Sequence, residues 1–253
     1  FNSLPEYLNK RFNANVRVPL LKGHGTNVKD LLRYKYDDYI HQLEKEFEKE
    51  IKKGKKIIVG GFSLGGLFAL YLASKYKNSG VFVICPPIKL KFPLNLTLLP
   101  YIRFLKPIWD KNLSKKEKKD MHLNFYYDKM PSIGLKICQD ASKDVLTRLA
   151  KITSPILSIF SRKDDITNFN ASKKIEQQIL HSNLKKIIIE DAGHRLSSKK
   201  FRDLIKKEII TFSEENFSEN KNKNNAKKFP LTISAIVPAY NEGERIKNVL
   251  EIL

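Results

Sequence analysis

The stretch Ile57-Ile58-Val59-Gly60-Gly61-Phe62-Ser63-Leu64-Gly65-Gly66-Leu67-Phe68-Ala69-Leu70 constrains the fold more than any other part of the chain. Its first apolar run is rich in β-branched residues and reads as a buried strand; its second has helical habit. Between the two stands Gly-x-Ser-x-Gly, with no residues to spare for a loop. The strand must therefore turn sharply into the helix, with Ser63 on the turn. Small flanking residues tolerate such a turn, and the hydroxyl is lifted clear of its own backbone at the mouth of the helix. Ser63 is a candidate nucleophile, and the alternative is a tight structural turn.

Further strands are expected at 15–18, 56–61, 80–85, 155–160 and 185–190, and helices near 3–11 and at 36–53, 64–76, 138–150, 170–180 and 199–213. Strands alternating with helices imply an α/β fold with a mostly parallel sheet covered on both faces. In the 36–53 helix, Tyr36, Ile40, Leu43, Phe47 and Ile51 keep helical spacing, so its many charges form the wet face. The insertion at about 86–135 begins apolar, proline-broken and edged with basic residues. It is expected to cap the site and to line a pocket or touch a membrane interface; packing on the sheet is the bland alternative. Phe62, Leu98 and Trp109 are the candidate substrate-binding side chains.

A serine hydroxyl needs a base to take its proton and an acid to orient that base. His41, His122 and His181 lie in polar or charged surroundings and read as surface residues. His24, in Lys22-Gly23-His24-Gly25, reads as a turn-shaping residue. His194 follows the 185–190 strand through Asp191-Ala192-Gly193 and precedes a helix. Loops off the C-terminal ends of strands are where α/β sites collect. The acid is sought in a comparable loop, Ser161-Arg162-Lys163-Asp164-Asp165-Ile166-Thr167. On the residues alone either aspartate qualifies, and so does an exposed charged turn.

The order serine, aspartate, histidine matches that of α/β-hydrolases. From about Leu4 to Phe212 the chain resembles the carboxylesterase and monoacylglycerol-lipase branch of that fold. The resemblance rests on Gly23-His24-Gly25, on the elbow Gly61-Phe62-Ser63-Leu64-Gly65-Gly66, on Tyr127-Asp128-Lys129-Met130-Pro131, on the acid loop and on Ala192-Gly193-His194. It implies a serine hydrolase of short acyl esters or monoacylglycerol-like lipids, with Ser63, Asp164 and His194 as the triad and Leu64 N–H as an oxyanion donor. It also implies an upstream strand and a His-Gly-aromatic loop, which the sequence from Phe1 lacks. The expectation is an N-terminally truncated, impaired hydrolase with a gap between the strands at 15–18 and 56–61. Its rivals are a non-catalytic module that binds lipid or protein, and an acyltransferase on the same triad.

The net charge of +20 invites a nucleic-acid reading, but the lysines are scattered over helix faces and loops. The charges read as the wet faces of helices, with peripheral contact with anionic membrane as the alternative, and no nucleic-acid partner is expected. No run of about eighteen apolar residues predicts a membrane span. Cys85 and Cys138 lack metal or redox spacing; neither metal nor cofactor is expected, and two distant thiols suggest a reducing, cytoplasmic setting. The polar segment 214–229 reads as a linker after a body at 1–213. Beyond it, Leu231–Ile246 resembles the opening strand and loop of a family-2 glycosyltransferase, with Pro238, Ala239, Tyr240 and Glu242 at sugar-nucleotide positions. Residues 230–253 are then an incomplete stub, or a strand that pairs with an open edge.

Overall fold

The computed structural model describes residues 9, 15–54, 56–77, 80–91, 107–110, 129–179, 183–196, 198–217 and 231–236. Its elements in chain order are β1 (Asn15–Arg17), α1 (Tyr36–Ile51), β2 (Lys56–Phe62), α2 (Leu64–Lys75), β3 (Gly80–Ile84), β4 (Ile108–Asp110), β5 (Lys129–Pro131), α3 (Ile133–Leu146), β6 (Ile156–Ser161), α4 (Ser172–Gln178), β7 (Leu184–Ile189), α5 (Lys199–Phe217) and β8 (Leu231–Ile236). The helix expected near 3–11 lies outside the described residues apart from Asn9. No described helix is long and apolar enough to cross a membrane.

The chain divides into two units. One comprises residues 1–19, 44–91 and 141–237, and the other residues 20–43, 92–140 and 238–253. The first holds a six-stranded sheet in the order β1-β8-β2-β3-β6-β7, with every neighbouring pair parallel. The inner strands β2, β3 and β6 are buried on both faces, which is why their sequences run apolar without alternation, whereas β7 at the edge is half-buried and carries Lys185 and Lys186. Phe82 and Ile84 of β3 join Ile58, Leu157 and Ile159 in a cluster with Ile205, Ile209 and Phe212 of α5. Val81 and Val83, on the opposite face, are equally inaccessible. At Gly60 a Cβ would stand 2.2 Å from the Phe82 ring, so only glycine lets that ring lie across the paired strand.

The gap expected between the strands at 15–18 and 56–61 is filled. β8 pairs with β1 on one side, Val16 opposite Ile233, and with β2 on the other, Ile58 opposite Ile233. Two parallel strands with open facing edges leave rows of unpaired N–H and C=O groups, and a third strand satisfies both at once.

Two helices also differ from expectation by four or more residues at an end. α3 starts at Ile133 and ends at Leu146, not at 138–150, because Ile133, Ile137, Ala141 and Val145 repeat every fourth residue on one buried face. α5 runs on to Phe217, into the segment read as linker, where Glu208 and Glu215 both approach Lys185 of β7, at 3.2 and 3.7 Å.

In the second unit, β4 and β5 form an antiparallel pair within the insertion. A short 3-10 helix, Val28–Arg33, is closed by a capping box between Asn27 and Asp30.

Candidate active site

The elbow forms as its sequence requires. β2 ends at Phe62, α2 begins at Leu64, and Ser63 between them has φ 51° and ψ −123°. A residue with a Cβ held in that region costs about 1–3 kcal/mol, so the surroundings must impose it. Ser63 N–H donates to Ile84 O at 2.8 Å, which ties the turn to the end of β3. A Cβ on Gly66 would lie 3.1 Å from Pro86 Cβ and 3.3 Å from Gly61 O, so a larger residue in the first turn of α2 would require Pro86 or the turn to give by a few tenths of an ångström. Leu64 N–H is among the first amides of α2, which have no carbonyl of their own helix four residues back.

His194 stands on the loop after β7. Its Nε2 lies 2.9 Å from Ser63 Oγ, and its Nδ1 lies 2.7 Å from Asp164 Oδ2. The imidazole and carboxylate are almost wholly buried, while Ser63 is half-buried. The two aspartates that the sequence leaves open are separated by the groups they bond. Asp164 takes the ring, and Asp165 Oδ1 accepts the backbone N–H of His194 at 3.0 Å. Asp164 Oδ1 also accepts the amides of Ile166 and Thr167, at 2.8 and 2.7 Å. Burial alone pushes the Asp164 carboxyl up, but the hydrogen bond and charge of His194, with the bonds from Thr167, outweigh it and hold the carboxyl below its ordinary range.

The acid loop and the histidine loop are joined residue by residue. Ser161 Oγ donates to Ala192 O, Arg162 N–H donates to Ile189 O at 2.9 Å, Arg162 also pairs with Glu190, and Lys163 pairs with Asp191 at 2.8 Å. Asp164 and Asp165 complete the series at His194. The charged turn is thus both things the sequence allowed. Its basic residues are surface groups, and its first aspartate points inward. The acid loop is also clipped from the other side: Lys91 N–H donates to Ile166 O at 2.8 Å, Asn168 N–H to Lys89 O at 2.7 Å, and Lys91 Nζ to Asp164 O.

The Phe62 ring lies 5.1 Å from the His194 ring, tilted by 38°, so this candidate substrate-binding residue borders the imidazole. Leu98 lies outside the described residues. Trp109 sits in β4 opposite Met130, but its side chain lies outside the described residues as well. His24 shapes a turn: its N–H donates to Leu21 O at 2.9 Å, and its ring stands edge-on to Tyr39 at 5.9 Å. Burial lowers the His24 pKa, and carbonyl contacts to Lys22 and Leu21 only partly offset this. His41 is exposed on α1, while His122 and His181 lie outside the described residues.

Sequence reasoning read Cys85 as a buried thiol and missed its neighbours. Its sulfur, a carboxylate oxygen of Asp164 and a ring nitrogen of His194 lie within 4.8 Å of one another. Burial, and then the Asp164 charge, push the thiol pKa far up, so the group stays protonated. A protonated thiol is neither a useful nucleophile nor a metal ligand.

Residues 21–199 match the family described as Hydrolase_4, serine aminopeptidase S33. A carboxylesterase of Bacillus subtilis (strain 168) is 26% identical over 214 residues, 83% of this chain and 85% of its own. A thermostable monoacylglycerol lipase of Bacillus sp. (strain H-257) is 26% identical over 163 residues, 60% of each chain. Among solved structures, one reported for the metagenome-derived lipolytic enzymes LipS and LipT superposes with a TM-score of 0.67 at 17% identity, covering 78% of this chain and 80% of that one. A soluble variant of monoglyceride lipase from Saccharomyces cerevisiae, in complex with a substrate analog, gives 0.60 at 15% identity, with coverages of 79% and 77%. These structures share the α/β-hydrolase fold. The family match ends at residue 199, and nothing in these comparisons supports the glycosyltransferase resemblance of the C-terminal segment.

Proposed function

The chain belongs to the serine aminopeptidase S33 family of α/β-hydrolases, and from that premise we propose that it cleaves carboxylic esters through Ser63, His194 and Asp164. It is an esterase- or lipase-type hydrolase. The observation that carries the reading is the serine hydroxyl 2.9 Å from one imidazole nitrogen while the other nitrogen meets a buried carboxylate at 2.7 Å.

In this reading His194 Nε2 accepts the Ser63 proton as Oγ attacks the ester carbonyl carbon. Asp164 keeps the Nδ1–H tautomer and stabilises the imidazolium. The carbonyl oxygen takes up negative charge and receives the Leu64 N–H at the N-terminus of α2, where the helix dipole favours an anion. Imidazolium returns its proton to the departing alcohol, leaving Ser63 acylated. Water, deprotonated by His194, then attacks the acyl-enzyme and releases the acid. Phe62 lies against the imidazole and supplies apolar surface for an acyl chain. Short acyl esters and monoacylglycerol-like lipids are the proposed substrates; the printed names of the two Bacillus relatives support that class.

A fluorophosphonate probe tests the proposal. It is expected to label the wild-type chain at Ser63 and to leave Ser63→Ala unlabelled, with kcat on a p-nitrophenyl ester falling by about 10⁵–10⁶. Equal labelling of both proteins would refute it. Rates on butyryl, octanoyl and monoacylglycerol substrates then rank chain length.

A further inference from the structure

One buried group beside the acid has no part in the mechanism above. Cys85 follows β3 directly and is inaccessible, with a left-handed backbone at φ 46°. Ser63, at the end of the neighbouring β2, carries nearly the same φ of 51°. The two strained residues are held alike. Ser63 N–H donates to Ile84 O at 2.8 Å, and Cys85 N–H donates to Ile159 O at 2.8 Å, each reaching across to the next strand. The segment that follows Cys85 is the one that clips the acid loop, through Leu90 against Thr167 and Lys91 against Ile166. Thiol and carboxylate are therefore both placed by backbone.

Three roles are open to a thiol here. Attack on a carbonyl and ligation of a metal both need the thiolate. Burial and the adjacent Asp164 carboxylate keep the proton on sulfur, which leaves the S–H as a donor. Asp164 is the acceptor at hand. Its Oδ1 is held by two backbone amides and its Oδ2 by the imidazole, and the Thr167 side chain also bonds the carboxylate. The thiol sulfur lies within 4.8 Å of one of its oxygens, and a buried carboxylate is stabilised by each further donor that reaches it.

We propose that Cys85 is a positioning residue whose thiol donates to the Asp164 carboxylate and fills the space beside it, so that the carboxylate keeps the orientation that receives His194 Nδ1–H. The proposal rests on the roles given above to Ser63, His194 and Asp164.

The test uses the full chain with Cys85→Ala and Cys85→Ser, each titrated with fluorophosphonate so that rates refer to competent sites. Cys85→Ala is expected to lower kcat about tenfold with KM changed by less than about twofold, and Cys85→Ser to recover kcat to within about threefold. The proton resonance of His194 Nδ1–H is expected to move in the alanine protein and return toward its place in the serine protein. A merely structural role would lower Tm and leave this resonance and kcat per titrated site alone. That outcome overturns the proposal, as does a serine protein no better than alanine. Infrared absorption adds an arm that needs no folded alanine variant. The S–H stretch of Cys85 in the wild-type chain should lie at a hydrogen-bonded frequency and rise in Asp164→Asn; a stretch typical of an unbonded thiol ends the idea. Failure of the ester-cleavage reading shows separately, as absence of labelling at Ser63. The resonance and the S–H stretch still decide the role of Cys85 in that case, because the Asp164–His194 bond does not depend on turnover.

Discussion

The two halves of the site are built by different means. On the acid and histidine side, five successive residues, Ser161 to Asp165, each reach the stretch from Ile189 to His194. Most of these contacts are made by side chains, so they are specified by residue type. On the serine side, Ser63 is held by backbone: its amide bonds to Ile84 O, its strand lies between β8 and β3, and glycines clear the space around the turn. The first half is vulnerable to single side-chain changes. The second is vulnerable to changes that disturb the sheet. Breaking each half in its own way separates the two.

The largest effect is expected on the side-chain half. Asp164→Asn preserves shape but offers an amide where the imidazole needs a carboxylate, and kcat is expected to fall by about 10⁴. It also removes a pH dependence. The Asp164 carboxyl is held below its ordinary value in the folded chain. Its stabilising contribution is therefore complete above the unfolded value of about 3.9, and disappears as pH falls through the lower folded value. Urea unfolding from pH 6 down to pH 2 should show that loss in the wild-type chain, and less of it in Asp164→Asn.

The matching break on the backbone half is a proline in β8. A strand paired on both sides uses every interior amide, and proline removes one. Ser234→Pro is expected to lower Tm by at least about 5 °C. Hydrogen exchange gives an independent reading: amides of 231–236 should be protected as β2 is. Exchange as fast as in an unstructured peptide would mean that β2 lacks this flank in solution.

These halves also differ in how legible they were. The elbow is a local pattern, so the strand, turn and helix follow from adjacent residues. The strands at 80–85 and 155–160 were readable for the same reason, as apolar runs, and that at 185–190 from Ile187-Ile188-Ile189. Pairing is not local. The residues Leu231–Ile236 read correctly as a strand, yet nothing within them says that their partners are Asn15–Arg17 and Lys56–Gly61. Nor can adjacent aspartates be told apart by their neighbours. Asp164 and Asp165 differ only in which one the turn aims inward, and the Ile166 and Thr167 amides decide that. Cys85 was readable as buried and not as a neighbour of Asp164, because the contact spans β3 and β6. A positive φ at a residue other than glycine, the signal that links it to Ser63, is invisible in sequence.

A smaller effect is expected one residue beyond the acid. Asp165 touches the His194 backbone and not its ring, so Asp165→Ala should loosen the histidine loop and lower kcat about tenfold. The imidazole proton resonance should broaden without leaving its place, since the ring keeps its partner.

The smallest effect falls on Lys163. Its ion pair with Asp191 has a short distance, 2.8 Å, yet the two side chains are 69% and 76% exposed. The attraction raises the Lys163 pKa and lowers that of Asp191. Between exposed groups such an attraction is screened by water and salt, and holding two long side chains together costs entropy that offsets it. Lys163→Gln should therefore leave kcat/KM within about twofold at physiological salt, although the residue stands directly before the acid. If it instead falls as far as Asp165→Ala, the joined loops act as one cooperative unit whose outermost contact matters as much as the one beside His194. The strength of the side-chain half would then lie in the series of contacts, and no longer in its buried members alone.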